Sequence, residues 1–152
     1  MKKFVFSLQA LLNYKLTVEK QQKADLSKAQ QALRILLDEE RRHMDAYAEN
    51  ERSLDRALRE NINIPATLSE HDAYFRFLRD ALTELRERIA VAERVVRECQ
   101  TRLIVTMREI KTYNKLRDEQ YQEYLKEVQS EEEKEIGDLV SFNENYKLQS
   151  TL

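Results

Sequence analysis

Between Tyr74 and Ile110 the chain steps alternately by three and four through Phe75, Leu78, Leu82, Leu85, Ile89, Ala92, Val96, Cys99, Leu103, Thr106 and Ile110. Only Thr106 in that series is polar, and neither Gly nor Pro interrupts it. An apolar repeat of about 3.5 residues makes a stripe too narrow for a globular core and suited to one partner helix, which is a coiled-coil seam. A second stripe precedes it: Phe4, Leu8, Leu11, Lys15, Val18, Gln22, Leu26, Ala29, Leu33, Leu36, Glu40, Met44, Tyr47, Glu51, Leu54, Leu58 and Ile62. Its mean step lies nearer 3.6, because four follows four in places, and such stutters locally unwind a left-handed supercoil. Polar Lys15, Gln22, Glu40 and Glu51 lower seam stability and can fix register.

The stripes predict helix one over about residues 4–61 and helix two over about 68–136. Between them Asn61-Ile-Asn-Ile-Pro-Ala-Thr forms a tip at about 62–67, where Pro65 removes a donor and pushes Ile64 out of helical conformation. Thr67 with Glu70, or Ser69 with Asp72, offers an N-cap. Two long helices with matching stripes and a short break fold back as an antiparallel hairpin. With the turn centred near Pro65, the rod would be roughly 90 Å long at 1.5 Å per residue. After Val128 an acidic run leads to Gly137, an expected helix stop. The tail 137–152 then either orders on a partner or frays, with Ile136, Leu139 and Phe142 as its apolar face.

Composition narrows the class to an elongated all-α protein. One Gly, one Pro and no Trp in 152 residues permit few turns, and 36% of residues are charged. The net charge of -2 gives no global pull toward nucleic acid or membrane. Residues 1–37 carry seven Lys/Arg against two Asp/Glu, whereas 115–152 carry five against ten. In a hairpin centred on Pro65 the basic start would lie against the acidic end. The opening MKKFVFSLQALL is too short and too interrupted for a signal peptide, and no segment approaches a membrane span. Lone Cys99 fits a buried, reduced thiol, so the expected location is cytoplasmic.

Candidate chemistry is sparse. One Gly excludes a phosphate loop, and two isolated His with one Cys supply no zinc spacing. A two-helix rod offers no pocket to shield general acid–base work, so no enzyme, metal or cofactor is expected. Two apolar clusters exceed what a seam can bury. At the start, Phe4, Val5, Phe6, Leu8, Leu11, Leu12 and Tyr14 either staple the open end of the hairpin or plug into a partner. Near the tip, Met44 and Tyr47 with Tyr74, Phe75, Phe77 and Leu78 either pad the tip or mark a protein contact.

The opening Phe4-Val-Phe6-Ser-Leu8-Gln9-Ala-Leu11-Leu12 resembles the F-x-F-x-L-Q-x-L-L start of the FliJ family, the small coiled-coil component of the flagellar type III export apparatus. The late Lys115-Leu-Arg-Asp-Glu-Gln-Tyr121-Gln-Glu-Tyr124-Leu-Lys-Glu is similar to that family's K-L-x-E-x-x-Y-x-x-Y stretch, and together the motifs span nearly the whole chain. The resemblance implies an antiparallel coiled coil like the γ stalk of rotary ATPases. It further implies three partners: the hexameric export ATPase, the cytoplasmic domain of the export gate membrane protein, and substrate chaperones, at the cytoplasmic face of the basal body. Carried over, the ring-facing residues are Phe4, Phe6, Leu8, Leu11, Leu12, Tyr121 and Tyr124. The gate patch falls on Met44, Tyr47, Tyr74, Leu78 and Ala81, with Glu51 where the family pattern has an aromatic. The corresponding stalk of a virulence-type secretion system, or a purely structural spacer, would share the hairpin.

Overall fold

A computed structural model of the chain describes residues 2–60 and 63–151. Two helices, α1 (Gln9–Arg59) and α2 (Ile64–Ser150), pack against each other antiparallel, and no strand occurs among the described residues. The expected last residue of helix one, Asn61, and the stripe residue Ile62 lie outside the described residues. Two compact units can be distinguished: the chain up to Glu19 together with everything from Val105 on, and Lys20–Ile104.

In the unit Lys20–Ile104, the α2 stripe lies inward as its periodicity demands. Leu78, Leu82, Leu85, Ile89, Val96 and Leu103 are buried, and Phe75, Ala92 and Cys99 are half-buried. The facing stripe on α1 differs from the apolar series. Gln22, Leu26, Ala29, Leu33, Leu36, Glu40, His43, Tyr47, Asn50, Leu54 and Ala57 are the buried or half-buried positions at alternating steps of four and three. The heptad is therefore unbroken, and His43 and Asn50 hold the seam where Met44 and Glu51 were expected. Met44 and Glu51 are exposed. The stutters vanish because polar groups that find partners can occupy the seam: Asn50 Nδ2 donates to the His71 carbonyl at 3.2 Å, and His43 Nδ1 donates to the Glu39 carbonyl at 2.8 Å.

Contacts across this unit also set the register. Glu40 pairs with Arg86 at 3.7 Å, the Tyr47 ring meets Phe75 at 4.7 Å, and Asn50 reaches His71, so the turn centres on about residue 62 rather than on Pro65. Helix α2 accordingly starts at Ile64, ahead of the expected caps. The Thr67 N–H donates to the Asn63 carbonyl at 3.1 Å, which makes Asn63 the N-cap and puts Pro65 in the first turn, where its missing N–H is no loss. Arg56 and Arg59 close α1, where cations suit the carbonyl end of a helix. In this register the basic residues 20–37 face residues 86–104, which are basic as well. Lys20, Lys23, Lys28, Arg34, Arg86, Arg88, Arg94, Arg97 and Arg102 stand there against Asp25, Glu87, Glu93 and Glu98. Attraction between a basic and an acidic arm does not hold this unit together; its apolar seam does.

In the other unit, Leu12 takes the heptad position at 1% exposure while Leu11 turns outward at 38%. Helix α1 begins at Gln9, not Phe4. Residues 2–6 are non-helical, and the Gln9 N–H closes a turn onto the Phe6 carbonyl at 3.1 Å. At the far end α2 runs through Gly137 to Ser150, past the stop expected there. A glycine inside a helix costs only about 1 kcal/mol against alanine, too little to end one without a competing cap. From Gln129 to Thr151 every residue is exposed.

Candidate protein-contact sites

The first site is built by the N-terminal strap. Phe4, Phe6 and Leu8 are buried or half-buried while Val5 and Ser7 are exposed, an every-second-residue pattern that an extended segment presents and a helix cannot. Phe6, Leu12 and Ile110 form a buried cluster against which Phe4, Leu8, Tyr113 and Leu116 pack. The Phe4 ring sits 5.2 Å from Tyr121, edge-on, and 5.6 Å from Tyr124, and those two tyrosines stack on each other at 6.1 Å. Edge-to-face and offset ring pairs add about 0.5–1.5 kcal/mol each beyond area burial. Tyr124 Oη donates to the Lys2 carbonyl at 2.8 Å, so strap and helix are also hydrogen-bonded. Outside this clamp, Val5 is 80% exposed, and Leu11 and Tyr14 also face outward. An open groove runs between Phe4, Val5 and Gln9 on one side and Arg117, Asp118 and Tyr121 on the other.

Below the strap, Lys15 Nζ pairs with Glu109 across the helices at 2.5 Å. The hydrogen bond to that carboxylate holds the Lys15 pKa above its ordinary 10.5, against the opposing pull of desolvation. This pair explains how a lysine can occupy the seam.

The second site lies in the other unit. Tyr47 packs on Phe75, and Tyr74 stacks on Phe77 at 6.3 Å with both rings exposed. Leu78 is 2% exposed and belongs to the seam, so its side chain is not part of the surface. Ala81 lines a shallow groove with Glu39, His43, Glu84, Leu85 and Arg88. Nearby, His71 Nδ1 donates to the Thr67 carbonyl at 2.8 Å and Nε2 lies 3.4 Å from Ser53 Oγ. Arg52 and Arg56 both hydrogen-bond Glu49 and hold its carboxyl below its ordinary 4.5.

The two sites thus gather the residues named from the sequence unevenly. Phe4, Tyr121 and Tyr124 come together; Phe6, Leu8 and Leu12 lie beneath them as core; Leu11 stands on the outer face. Tyr47 and Tyr74 each pair with a different partner, Phe75 and Phe77. Lys2, Gln9, Arg117 and Asp118 also build the first site; of these the sequence marked Gln9 as part of the opening motif, and none as a contact residue. Among the described residues no three side chains are grouped to hold a metal ion, and no helix is long and apolar enough to cross a membrane.

The family description "Flagellar FliJ protein" matches residues 4–145, a span that includes both the strap and the tyrosine pair clamping it. The chain belongs to the FliJ family. It is accordingly a component of the flagellar export apparatus, and FliJ proteins are structural parts of that apparatus rather than known enzymes. Searches of curated proteins and of solved structures found nothing that matches it.

Proposed function

We propose that this FliJ chain is a non-enzymatic stalk of the export machinery. In this reading its strap end enters the hexameric export ATPase, promotes ring assembly and hydrolysis, and needs no cofactor. The aromatic surface around Tyr74 and Phe77 contacts the cytoplasmic domain of the export gate, and the helices receive substrate chaperones. The protein works in the cytoplasm at the base of the flagellum. One observation carries the reading: Phe4 is clamped by Tyr121 and Tyr124 while Val5, Leu11 and Tyr14 remain outward, an end that is stapled and still presents apolar surface. A ring that contacts such an end more strongly in one subunit arrangement than in others is shifted toward that arrangement.

The two surfaces can be tested against each other. Val5→Asp with Leu11→Asp changes exposed positions only and is expected to weaken binding to the ATPase while sparing the gate domain. Tyr74→Ala with Phe77→Ala is expected to do the reverse. Loss of both interactions in both variants, or of neither in either, would contradict the assignment of surfaces.

A further inference from the structure

The end of α2 has an unpartnered face with a distinct chemistry. Along Ile136–Lys147, residues Ile136, Leu139, Val140, Phe142 and Tyr146 fall on one side of the helix, all of them more than half exposed. Gly137, Asp138, Ser141, Glu144 and Asn145 fall on the other. A helix this far from any packing partner is marginal in water, and an amphipathic one draws most of its stability from covering its apolar side. The segment is also acidic: residues 129–151 hold six Asp/Glu against two Lys.

The opposite chemistry is present on the same chain. In the unit Lys20–Ile104, residues 20–37 and 86–104 place nine Lys/Arg against four Asp/Glu, all exposed. A groove there is lined by Leu36, Glu87, Arg88, Val91 and Ala92, and exposed Val95 lies one turn beyond Val91. The next groove along α2 is lined by Arg94, Arg97 and Arg102 around Glu98. Those three arginines make no salt bridge among the described residues. A small apolar groove followed by a patch in which three arginines surround one glutamate is what an acidic amphipathic helix fits, through both area burial and charge-assisted pairs.

We propose that the α2 extension, residues 129–150, docks on the arginine-edged groove of a second copy of this chain. The apolar side, with Leu139 and Phe142, covers Val91 and Val95, and Glu131, Glu132 and Glu135 meet Arg94, Arg97 and Arg102. Donor and acceptor are different surfaces, so the contact is heterologous: it closes by reciprocal exchange or runs on into short chains. This goes beyond the stalk reading and does not depend on it.

Sedimentation velocity of the full chain over a wide concentration range tests the proposal, with circular dichroism to show that each variant is helical. The wild type is expected to gain mass with concentration, and to do so less as salt rises. Leu139→Asp/Phe142→Asp and, separately, Arg94→Glu/Arg97→Glu/Arg102→Glu are expected to weaken association at least about tenfold, the equivalent of 1.4 kcal/mol. Mixing the arginine variant with a Glu131→Arg/Glu132→Arg/Glu135→Arg variant is expected to restore it. A wild type that stays monomeric at every concentration would overturn the proposal. So would association that neither variant weakens, or protection of the extension that is independent of concentration, which would place it on its own copy or on nothing.

Discussion

Leu11 and Leu12 are adjacent, chemically identical and opposite in role. Leu12 lies in the core beside Phe6 and Ile110, and Leu11 faces outward. Leu12→Ala is therefore expected to destabilise the chain by about 2–5 kcal/mol in a urea titration, through lost burial and an unfilled cavity. Leu11→Ala should stay within about 0.5 kcal/mol of wild type, as exposed substitutions do. Equal losses would contradict the assigned phase of α1. A second residue-scale test concerns Gln22, whose Oε1 is buried without a hydrogen-bond partner. Gln22→Leu is expected to raise the melting temperature, because an unsatisfied buried polar atom costs about 1–3 kcal/mol. Glu49 gives a pH test. Its depressed pKa means the Arg52 and Arg56 contacts stabilise the fold above the ordinary value of 4.5 and are lost as pH falls through the lower folded value. Glu49→Gln should thus lower the melting temperature at neutral pH and converge with wild type in acid.

At the scale of elements, the α2 seam was legible because nearly all its positions are apolar, so phase and length could be counted directly. The α1 seam was not. Counting only apolar residues leads to Met44 and past Asn50 to Glu51, whereas the helix keeps a strict heptad by placing His43 and Asn50 inside with backbone partners. The strap was legible in principle: Phe4, Phe6 and Leu8 alternate, which is a period of two, but five residues beside a long helical pattern read as its continuation. Pro65 marked the turn correctly and its side wrongly, since a proline serves the first turn of a helix as well as the loop before it. Gly137 misled for a related reason, because a helix ends where a cap or competing contact ends it and not at every glycine. A Cβ at Gly137 would meet no atom within 4 Å. Gly137→Ala is thus expected to slow amide exchange around residues 130–150 by several-fold, in line with a propensity gain of about 1 kcal/mol. No change would mean that the segment's helicity is set by something other than its own propensity.

For the molecule as a whole, the fold class and the family could be read from stripes and end motifs, whereas the surfaces available to partners could not. Exposure depends on which of two neighbouring apolar residues the heptad takes inward, and that is decided by packing. The distinction matters for the central claim, that the strap end stimulates the export ATPase through its exposed residues and not through the core beneath them. The most direct measurement titrates the wild type and the Val5→Asp/Leu11→Asp variant into the export ATPase and follows ATP hydrolysis and ring formation, with equal helicity shown for both. Stimulation by the wild type and little or none by the variant is the expected result. Equal stimulation by the two would contradict the strap end as the contact, and no stimulation by either would contradict the stalk itself.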